Sequence, residues 1–233
     1  MKSAGRDCTT CSVRGSDCFC SLTPESLIGL QAMGSLKHFK AGENILRQGY
    51  PGDRVYVMCS GRVKLTAASA EGRELILRIA GPGDVLGLAA TLQGGEHKVT
   101  AEALEPCEMK GIGRAEFLAF MEGSRDVSRN AAMTMALQYE GAMLSARRLA
   151  LSGSASTKLA SVLLEWGRME KGATAETMEF AMPLTHDELA SMAGLTRETV
   201  TRTLARFRRE GMLVQQNGRM VLPNPKLMER RYS

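Results

Sequence analysis

The chain of 233 residues has few aromatic side chains and no long apolar run. Aromatic residues make up 5% of the composition, and no window approaches the roughly eighteen consecutive apolar residues that a membrane helix needs. The first residues, MKSAGRDCTTC, lack the apolar core of a secretory signal peptide. These absences predict a cytoplasmic protein that neither spans nor crosses a membrane.

Histidines and catalytic constellations are also scarce. The three histidines, His38, His97 and His186, are scattered along the chain, and neither a paired acid and base nor a phosphate-binding loop accompanies them. The sequence therefore predicts that the protein is not an enzyme. The composition, 44% hydrophobic and 24% charged, is typical of a soluble protein with two small cores, and it excludes disorder, collagen and a disulfide miniprotein.

Positive charge is concentrated in the C-terminal part of the chain. Residues 1–144 contain sixteen basic and sixteen acidic side chains, whereas residues 145–233 contain fourteen basic and nine acidic ones. The whole net charge of +5 therefore belongs to the second segment. A basic module joined to a neutral one is typical of a phosphate-contacting domain with a separate regulatory domain.

The six cysteines are unevenly placed. Four lie within thirteen residues near the N-terminus, and the other two, Cys59 and Cys107, stand far from them; the four are Cys8, Cys11, Cys18 and Cys20. A structural disulfide is not expected in a reducing cytosol, so the sequence leaves metal, iron-sulfur or thiol-redox chemistry open.

Short apolar runs separated by frequent glycines predict an all-β roll over residues 37–113. Thr23 and Pro24 favour a short helix before it. After it, residues 127–151 have no proline and an apolar residue every three or four positions, which predicts a long amphipathic helix. Its stripe of small residues and methionines suits either a dimer seam or packing on the chain's own roll. The Ser- and Gly-rich residues 152–156 then predict a hinge and a domain boundary.

Two short helices are predicted to meet at a glycine turn in the C-terminal part. Thr185 and Glu188 fit a capping box at the start of the first helix, and Gly194 ends it. Thr196 caps the second helix, which runs over residues 197–210. This is the pattern of a helix-turn-helix. The hairpin signal Asn217-Gly218 within residues 212–222 predicts a two-stranded wing beside it.

The second helix carries a set of side chains suited to reading base edges. Three apolar residues at helical spacing should face inward, namely Val200, Leu204 and Phe207. The outward N-terminal face then holds Arg197, Glu198, Thr201 and Arg202, which can contact guanine, cytosine and the thymine methyl group. Arg206, Arg208 and Arg209 lie further along and should meet phosphates. We expect sequence-specific binding of double-stranded DNA; the alternative is a protein-binding adaptor with a solvated arginine face.

The order of these parts resembles the Crp/Fnr family of bacterial transcription regulators. The resemblance covers nearly the whole chain and rests on KAGENI at residues 40–45, Gly49, Asp53, YVM at 56–58, GRV at 61–63, GPGDVLG at 81–87 and LTRETVTR at 195–202. It implies an α+β chain with four parts: a cysteine-containing arm (1–28), a cyclic-nucleotide-binding-like β-roll sensor domain (29–126), a dimerisation helix (127–151) and a winged helix-turn-helix domain (152–233).

The resemblance also implies how DNA is bound. It implies a homodimer on an inverted repeat with TGA-like half-sites, the two recognition helices about 34 Å apart, and RNA polymerase as a partner. The implied DNA contacts are Thr196, Arg197, Glu198, Thr201, Arg202, Arg206 and Arg208.

Cyclic AMP is not expected as the signal. Members that bind it have a Glu shortly after the glycine turn and an Arg-Ser or Arg-Thr pair about ten residues later, whereas this chain has Leu88 and then His97-Lys98. The pocket therefore lacks the ribose-binding carboxylate and the guanidinium fork for the phosphate. Another small ligand near His97 and Lys98 stays an alternative.

The cysteine arm resembles that of oxygen-sensing members, which hold a 4Fe-4S cluster with three arm cysteines and one from the roll. The resemblance implies Cys8, Cys11 and either Cys18 or Cys20 as ligands, with Cys107 as the candidate from the roll. The family's roll cysteine falls near Lys110, however, and an odd offset of three on a strand turns Cys107 to the other face, as a core residue. Cys59 has the same core interpretation. A zinc site at Cys8, Cys11 and Cys20 and a thiol-disulfide arm are the alternatives.

Overall fold

The computed structural model describes residues 7–15, 18–72, 74–151, 153–171, 175–216 and 218–232. The chain forms two compact units, Met1–Ala142 and Met143–Ser233. The predicted α+β order is confirmed, with a β-roll first, a long helix next and a helix-turn-helix last. No helix among the described residues is both long enough and apolar enough to cross a membrane.

The first unit contains two antiparallel sheets and the helices that cover them. In chain order its elements are α1 (Pro24–Ala32), β1 (Ser35–Phe39), β2 (Asn44–Leu46), β3 (Arg54–Ser60), β4 (Val63–Ala68), β5 (Glu74–Ala80), β6 (Val85–Leu86), α2 (Leu88–Gln93), β7 (Thr100–Ala103), β8 (Cys107–Gly113), α3 (Arg114–Gly123) and the start of α4 (Arg125–Leu151). The strand orders are β1-β8-β3-β6 and β2-β7-β4-β5. Alternating side chains on these strands face two separate cores.

The inner core contains side chains from both sheets, including Met58 and Met109 of the first sheet and Val63 of the second. The outer core lies on the other face of the first sheet, where Val55 and Val57 of β3 meet the arm and the covering helices. Phe19 of the arm and Phe117 of α3 are its largest fully buried side chains, and their ring centroids are 6.0 Å apart.

Helix α1 begins as the sequence predicts. The Thr23 hydroxyl accepts a hydrogen bond from Ser26 N, and Pro24 occupies the first helical position. Asp126, in the first turn of α4, accepts hydrogen bonds from Thr23 N at 2.9 Å and Ser26 Oγ at 2.8 Å. The last part of the arm is thus fastened to α4.

The second unit contains the end of α4 and the winged helix-turn-helix. Its further elements are α5 (Ala155–Lys171), β9 (Met178–Phe180), α6 (His186–Ala193), α7 (Arg197–Arg209), β10 (Val214–Gln216), β11 (Arg219–Leu222) and α8 (Pro225–Tyr232). Strands β10 and β11 confirm the predicted wing, although Asn217 lies outside the described residues. The sequence did not predict β9, which pairs with β11 as a third strand, or α8.

The two compact units divide within α4, between Ala142 and Met143. The helix ends at Leu151 and α5 begins at Ala155, so a break is present there; Ser152 lies outside the described residues. The last turns of α4 nevertheless bond to α5, because Arg148 pairs with Glu165 at 2.5 Å and Lys158 Nζ donates to the Leu149 carbonyl at 2.9 Å. These contacts assign the end of α4 to the second unit.

Replacing Thr185 with alanine is expected to lower the free energy of unfolding by about 1 kcal/mol. The Thr185 hydroxyl accepts from Glu188 N, and the Glu188 carboxylate accepts in turn from Thr185 N at 2.9 Å, so α6 has a complete capping box. Urea unfolding followed by circular dichroism measures the loss. Thr185→Ser keeps the hydroxyl and should be nearly neutral; an equal loss in both variants would contradict the capping role.

Candidate nucleic-acid interface and cysteine arm

Helix α7 presents the predicted outward face because its other side is fully buried. Val200, Leu204 and Phe207 are each 0% exposed, as their spacing predicts. The Thr196 hydroxyl caps the helix by accepting from Thr199 N at 3.3 Å. Gly194 ends α6 with a φ of +62°, a left-handed conformation that favours glycine, so α6 and α7 meet at a tight turn.

The four predicted reading residues are exposed together on the first two turns of α7. Two of them are held by the preceding helix: Arg197 Nε lies 3.8 Å from Asp187 Oδ2, and Thr201 Oγ1 hydrogen-bonds His186 Nδ1 at 2.9 Å. No role was predicted for His186 from the sequence. Its position on the first turn of α6 orients the Thr201 hydroxyl.

Glu198 is an ionised acceptor at neutral pH. Hydrogen bonds from its own backbone N–H and from the Thr196 side chain lower the pKa of its carboxyl group, and nearby Arg197 adds to the effect. An ionised carboxylate only accepts hydrogen bonds, which matches the N4 amino group of cytosine.

A basic cavity of about 640 Å³ lies beside the recognition face. Hydroxyl groups at the start of α5 form one wall, and arginines of α7 and α8 form the other. The lining residues are Ser154, Ala155, Ser156, Thr157, Thr199, Arg202, Thr203, Arg206, Arg209, Arg231 and Tyr232. Ser154 caps α5 by accepting from Thr157 N at 3.1 Å. Helix N-termini and guanidinium groups both bind phosphate, so the cavity is suited to an anion.

Two buried polar atoms of this cavity have no hydrogen-bond partner within the described part of the chain. They are the Ser156 hydroxyl, in a residue that is 3% exposed, and Arg206 Nε. A buried polar group without a partner is costly unless a ligand or water satisfies it. Arg202 lines the cavity and also belongs to the reading face. Its position is therefore suited to contact either a base edge or a phosphate.

Arg208 lies apart from the cavity. Its guanidinium donates to Gln215 Oε1 of β10 at 2.8 Å, so it joins the recognition helix to the wing. The sequence assigned Arg206, Arg208 and Arg209 to phosphates as one group. The structure places Arg206 and Arg209 in the cavity and Arg208 at the wing.

The arm is anchored through Phe19, which stands between Cys18 and Cys20. Phe19 is 1% exposed, its N–H donates to the Gly83 carbonyl at 3.1 Å, and its ring contacts Phe117. The Asn130 side chain on α4 donates to the carbonyls of Phe19 at 3.0 Å and Ser21 at 2.9 Å. The two cysteines are therefore fixed on a turn whose centre is buried.

Cys18 and Cys20 hydrogen-bond each other and divide into a thiolate and a thiol. The thiol of Cys20 and, at 3.3 Å, its backbone N–H donate to Cys18 Sγ, and they lower the pKa of Cys18 to about 6. The same hydrogen bond, together with burial and the sulfurs of Cys18, Cys8 and Cys59, raises the pKa of Cys20. At neutral pH Cys18 is the reactive sulfur of the pair.

Cys107 lies away from the arm. It is 2% exposed in the inner core, and its thiol donates to the Glu105 carbonyl at 3.1 Å and the Arg62 carbonyl at 3.4 Å. The expectation that an odd offset from Lys110 turns Cys107 to the other face is thus confirmed. The arm side of the sheet holds Lys110, whose ammonium donates to the Gln31 carbonyl at 2.5 Å.

Cys59, the other cysteine of the roll, is half-buried. It lies where the pairing of β3 with β8 shifts register, between Met58 and Ser60. Its sulfur is one of the groups that raise the pKa of Cys20. Cys8, half-buried, is held in place by its N–H, which donates to Gln31 Oε1 at 2.9 Å.

The predicted cluster ligands are near one another without forming a metal site. Cys8 and Cys20 pack on the outer core, and Cys11 and Cys18 are half-buried on the same arm. No group of three or more His, Cys, Asp or Glu residues in the described ranges is arranged to hold a metal ion.

The roll contains a smaller cavity of about 310 Å³. Its lining is Asn44, Ile45, Leu46, Arg47, Tyr50, Pro51, Asp53, Tyr56 and His97. Leu88 is 1% exposed and packs in the outer core. His97 is buried, and that burial lowers the pKa of its imidazole. His97 therefore lines this cavity, whereas Leu88 does not.

Comparison with known proteins matches both halves of the chain. A cyclic nucleotide-binding domain model matches residues 36–124, and a Crp-like helix-turn-helix domain model matches residues 157–231. The cyclic AMP receptor protein of Thermus thermophilus is 30% identical over 201 residues, which are 86% of this chain and 89% of that protein. The nitrogen fixation regulation protein FixK of Bradyrhizobium diazoefficiens is 27% identical and covers 97% of this chain and 93% of its own.

A solved structure agrees with these matches. The structure of FixK2 from Bradyrhizobium japonicum superposes with a TM-score of 0.75 at 25% identity, over 86% of this chain and 98% of that one.

Proposed function

Because the chain belongs to the Crp/Fnr family of DNA-binding transcription regulators, we propose that it acts as a homodimer on an inverted repeat, with a DNA affinity set by a redox signal at the cysteine arm. The chain is a regulator and not an enzyme. The observation that carries the DNA part is the exposed set of Arg197, Glu198, Thr201 and Arg202 on a helix whose other face is fully buried.

Each reading residue has a separate chemical role. Arg197 and Arg202 can donate two hydrogen bonds to guanine, and ionised Glu198 can accept from cytosine. Thr201, oriented by His186, offers its methyl group to thymine. Together they suit half-sites with a TGA-like core.

The basic cavity supplies the phosphate contacts in this proposal. Arg206, Arg209 and Arg231 neutralise a phosphodiester, and the start of α5 with the Ser156 hydroxyl donates to it. Base readout and phosphate binding then belong to adjacent surfaces of one unit, with Arg202 between them.

The dimer seam is assigned to α4. The apolar stripe predicted from sequence divides in the structure: Ala131 and Met135 pack on the outer core, whereas Tyr139 and Met143 are 65% and 51% exposed. Further exposed apolar residues follow the helix at Met133, Leu137, Leu144 and Leu151. A stripe of exposed apolar side chains along one helix is typical of a protein-contact surface, which supports a second copy along α4.

Arg202→Ala and Arg208→Ala should weaken DNA binding in different ways. Arg202→Ala should cost about 1 to 3 kcal/mol per half-site and remove discrimination at one base step. Arg208→Ala should weaken all sequences about equally, because it supports the wing through Gln215. Fluorescence anisotropy on an inverted repeat, with each half-site position substituted in turn, measures both.

The control is Arg168→Ala, a change on α5 where the guanidinium pairs with Glu229. It removes the same charge and should leave affinity almost unchanged. If Arg202→Ala and Arg208→Ala both lose affinity uniformly across the substituted sites, the assignment of the reading face is wrong.

Redox control is supported by the thiols themselves. A 4Fe-4S cluster or a zinc ion needs several thiolates directed at one point. No group of three or more His, Cys, Asp or Glu residues in the described ranges forms such a set. The residues as placed therefore do not fit a cluster. A small ligand in the roll cavity near His97 is the second candidate for the signal.

A further inference from the structure

We propose that the basic cavity binds a small polyphosphate, meaning two or three linked phosphate groups that are free or carried by a nucleoside. The binding depends only on groups of the second unit, Met143–Ser233. Bound polyphosphate then excludes DNA, and this consequence rests on the proposed function, in which DNA phosphates use the same cavity.

One wall of the cavity is a row of cationic side chains on a single face of α7. Arg202, Arg206 and Arg209 follow one another at spacings of four and three residues, which places them on the same side of the helix. Thr199 continues this row toward the recognition face. From Thr199 to Arg209 the helix rises about 15 Å. The row therefore matches an extended anion better than a single phosphate.

The size of the cavity also exceeds what one phosphate group needs. Its volume of about 640 Å³ is typical of small-molecule sites, which measure about 300 to 1,000 Å³. A DNA strand offers phosphates that each carry one charge and are separated by a sugar. Linked phosphates concentrate more negative charge in the same space, so they can pair with several of the arginines at once.

Positive charge is in excess around the cavity. Four arginines line it, and no acidic side chain of the described residues does. The carboxylate of Glu210 pairs with Arg231 at 3.3 Å and accepts from the Tyr232 hydroxyl at 2.5 Å. The hydrogen bond from Tyr232 and the charges of Arg231, Arg206 and Arg209 lower the pKa of Glu210, which is therefore ionised at neutral pH. One carboxylate leaves three of the four positive charges for a ligand.

Two buried donors of the cavity point to a bound anion. The Ser156 hydroxyl, in a residue that is 3% exposed, and Arg206 Nε have no hydrogen-bond partner within the described ranges. Ser156 is the second residue of α5, so the N–H groups of the first turn and the positive end of the helix dipole lie at the same wall. A phosphate oxygen accepts from all of these groups and so supplies the acceptors that the protein does not.

Bound polyphosphate excludes DNA because both ligands use Arg202 and the start of α5. The apparent Kd for DNA then rises with the ligand concentration by the factor 1 + [L]/Kd. The polyphosphate concentration thereby sets DNA affinity through the second unit, independently of any signal that reaches the first.

Isothermal titration calorimetry of the full chain without DNA measures the binding. The probes are inorganic triphosphate, adenosine triphosphate, adenosine and inorganic phosphate, each in about 150 mM chloride without divalent cations, because this salt screens exposed charges. We expect both triphosphates to bind at least about tenfold more tightly than phosphate, and adenosine not to bind. Equal affinity for phosphate and triphosphate, or tighter binding of adenosine than of triphosphate, would overturn the polyphosphate assignment.

Two cavity variants locate the ligand. Arg206→Gln should weaken triphosphate binding by about tenfold or more, because a charge-assisted hydrogen bond is lost. Ser156→Ala should also weaken it, yet the variant without ligand should be at least as stable as the parent, since the buried hydroxyl has no partner in the described part of the protein. Thermal unfolding with and without triphosphate measures both stability and binding in each variant.

The matched control is Arg230→Gln, which removes an equal charge from an exposed residue outside the cavity. It should change triphosphate affinity by less than about twofold, because exposed charges are screened. Equal losses in Arg206→Gln and Arg230→Gln would make the binding a general effect of net charge and would overturn the site.

Fluorescence anisotropy on an inverted repeat tests the competition. Triphosphate at ten times its own Kd should raise the apparent Kd for DNA by about tenfold or more, whereas sodium chloride of equal ionic strength should produce only general screening. In Arg206→Gln, triphosphate should act no more strongly than the chloride. Triphosphate binding without an effect on DNA beyond screening would overturn the competition. If the protein binds no DNA, the proposed function fails, while calorimetry still decides whether the cavity binds polyphosphate.

Discussion

Raising the salt concentration from 50 to 200 mM is expected to weaken DNA binding by about a thousandfold. Three arginines of each subunit, Arg206, Arg209 and Arg231, line the cavity assigned to phosphate. Together with the wing, a dimer would neutralise about six to ten phosphates, and the counterions released account for the salt dependence. A plot of the logarithm of affinity against the logarithm of salt concentration measures the effect.

A matched pair of variants locates the charge responsible. Arg231→Gln should make that slope shallower by about two, because a dimer loses one contact in each subunit. Arg230→Gln changes the net charge equally, yet the exposed Arg230 does not line the cavity. Equal slopes for the two variants would show that the salt dependence follows the net charge and not the position of the arginine. That result would contradict phosphate binding in the cavity.

Replacing Phe117 with alanine is expected to lower the free energy of unfolding of the first unit by about 3 to 5 kcal/mol. Phe117 is 0% exposed and contacts Phe19 in the outer core. Because a whole domain is stable by only about 5 to 15 kcal/mol, the loss is a large part of the total. Urea unfolding of reduced protein measures it.

The control for this change lies on the surface of the same unit. Ile28→Ala removes an apolar side chain that is 62% exposed on α1 and should cost less than about 0.5 kcal/mol. A loss below about 1 kcal/mol for Phe117→Ala would contradict the packing of the arm on α3. The variant should also loosen Phe19, so the alkylation rate of Cys18 should change with it.

The helix-turn-helix was predictable from sequence because its signals are local. The capping box of Thr185 and Glu188, the glycine at 194 and the cap at Thr196 each act within four residues of their own helix end. All three are present as predicted, and they suffice to orient the outward face of α7.

The basic cavity was not predictable in the same way. Its wall joins Ser156 at the start of α5 with Arg206 and with Arg231, which lies 25 positions later in the sequence, on a helix that the sequence did not indicate. Only the packing of three helices brings these groups together.

Strand register also limited what could be predicted from the sequence about the positions of the cysteines. The offset from Lys110 correctly turned Cys107 away from the arm, because alternation along one strand is a local property. The position of Cys59 depends on the pairing of β3 with β8 and on the register shift beside it. That pairing joins residues about fifty positions apart, and no pattern near Cys59 reports it.

The anchoring of the arm also has a consequence during synthesis on the ribosome. Phe19 is made before Asn130, which holds its carbonyl and follows 111 positions later. At about 5 to 20 residues per second, the arm waits roughly 5 to 20 s before its docking helix exists. Throughout that interval the arm thiols of each nascent chain lack their final environment, so the newest molecules in a cell meet oxidants before the mature turn has formed.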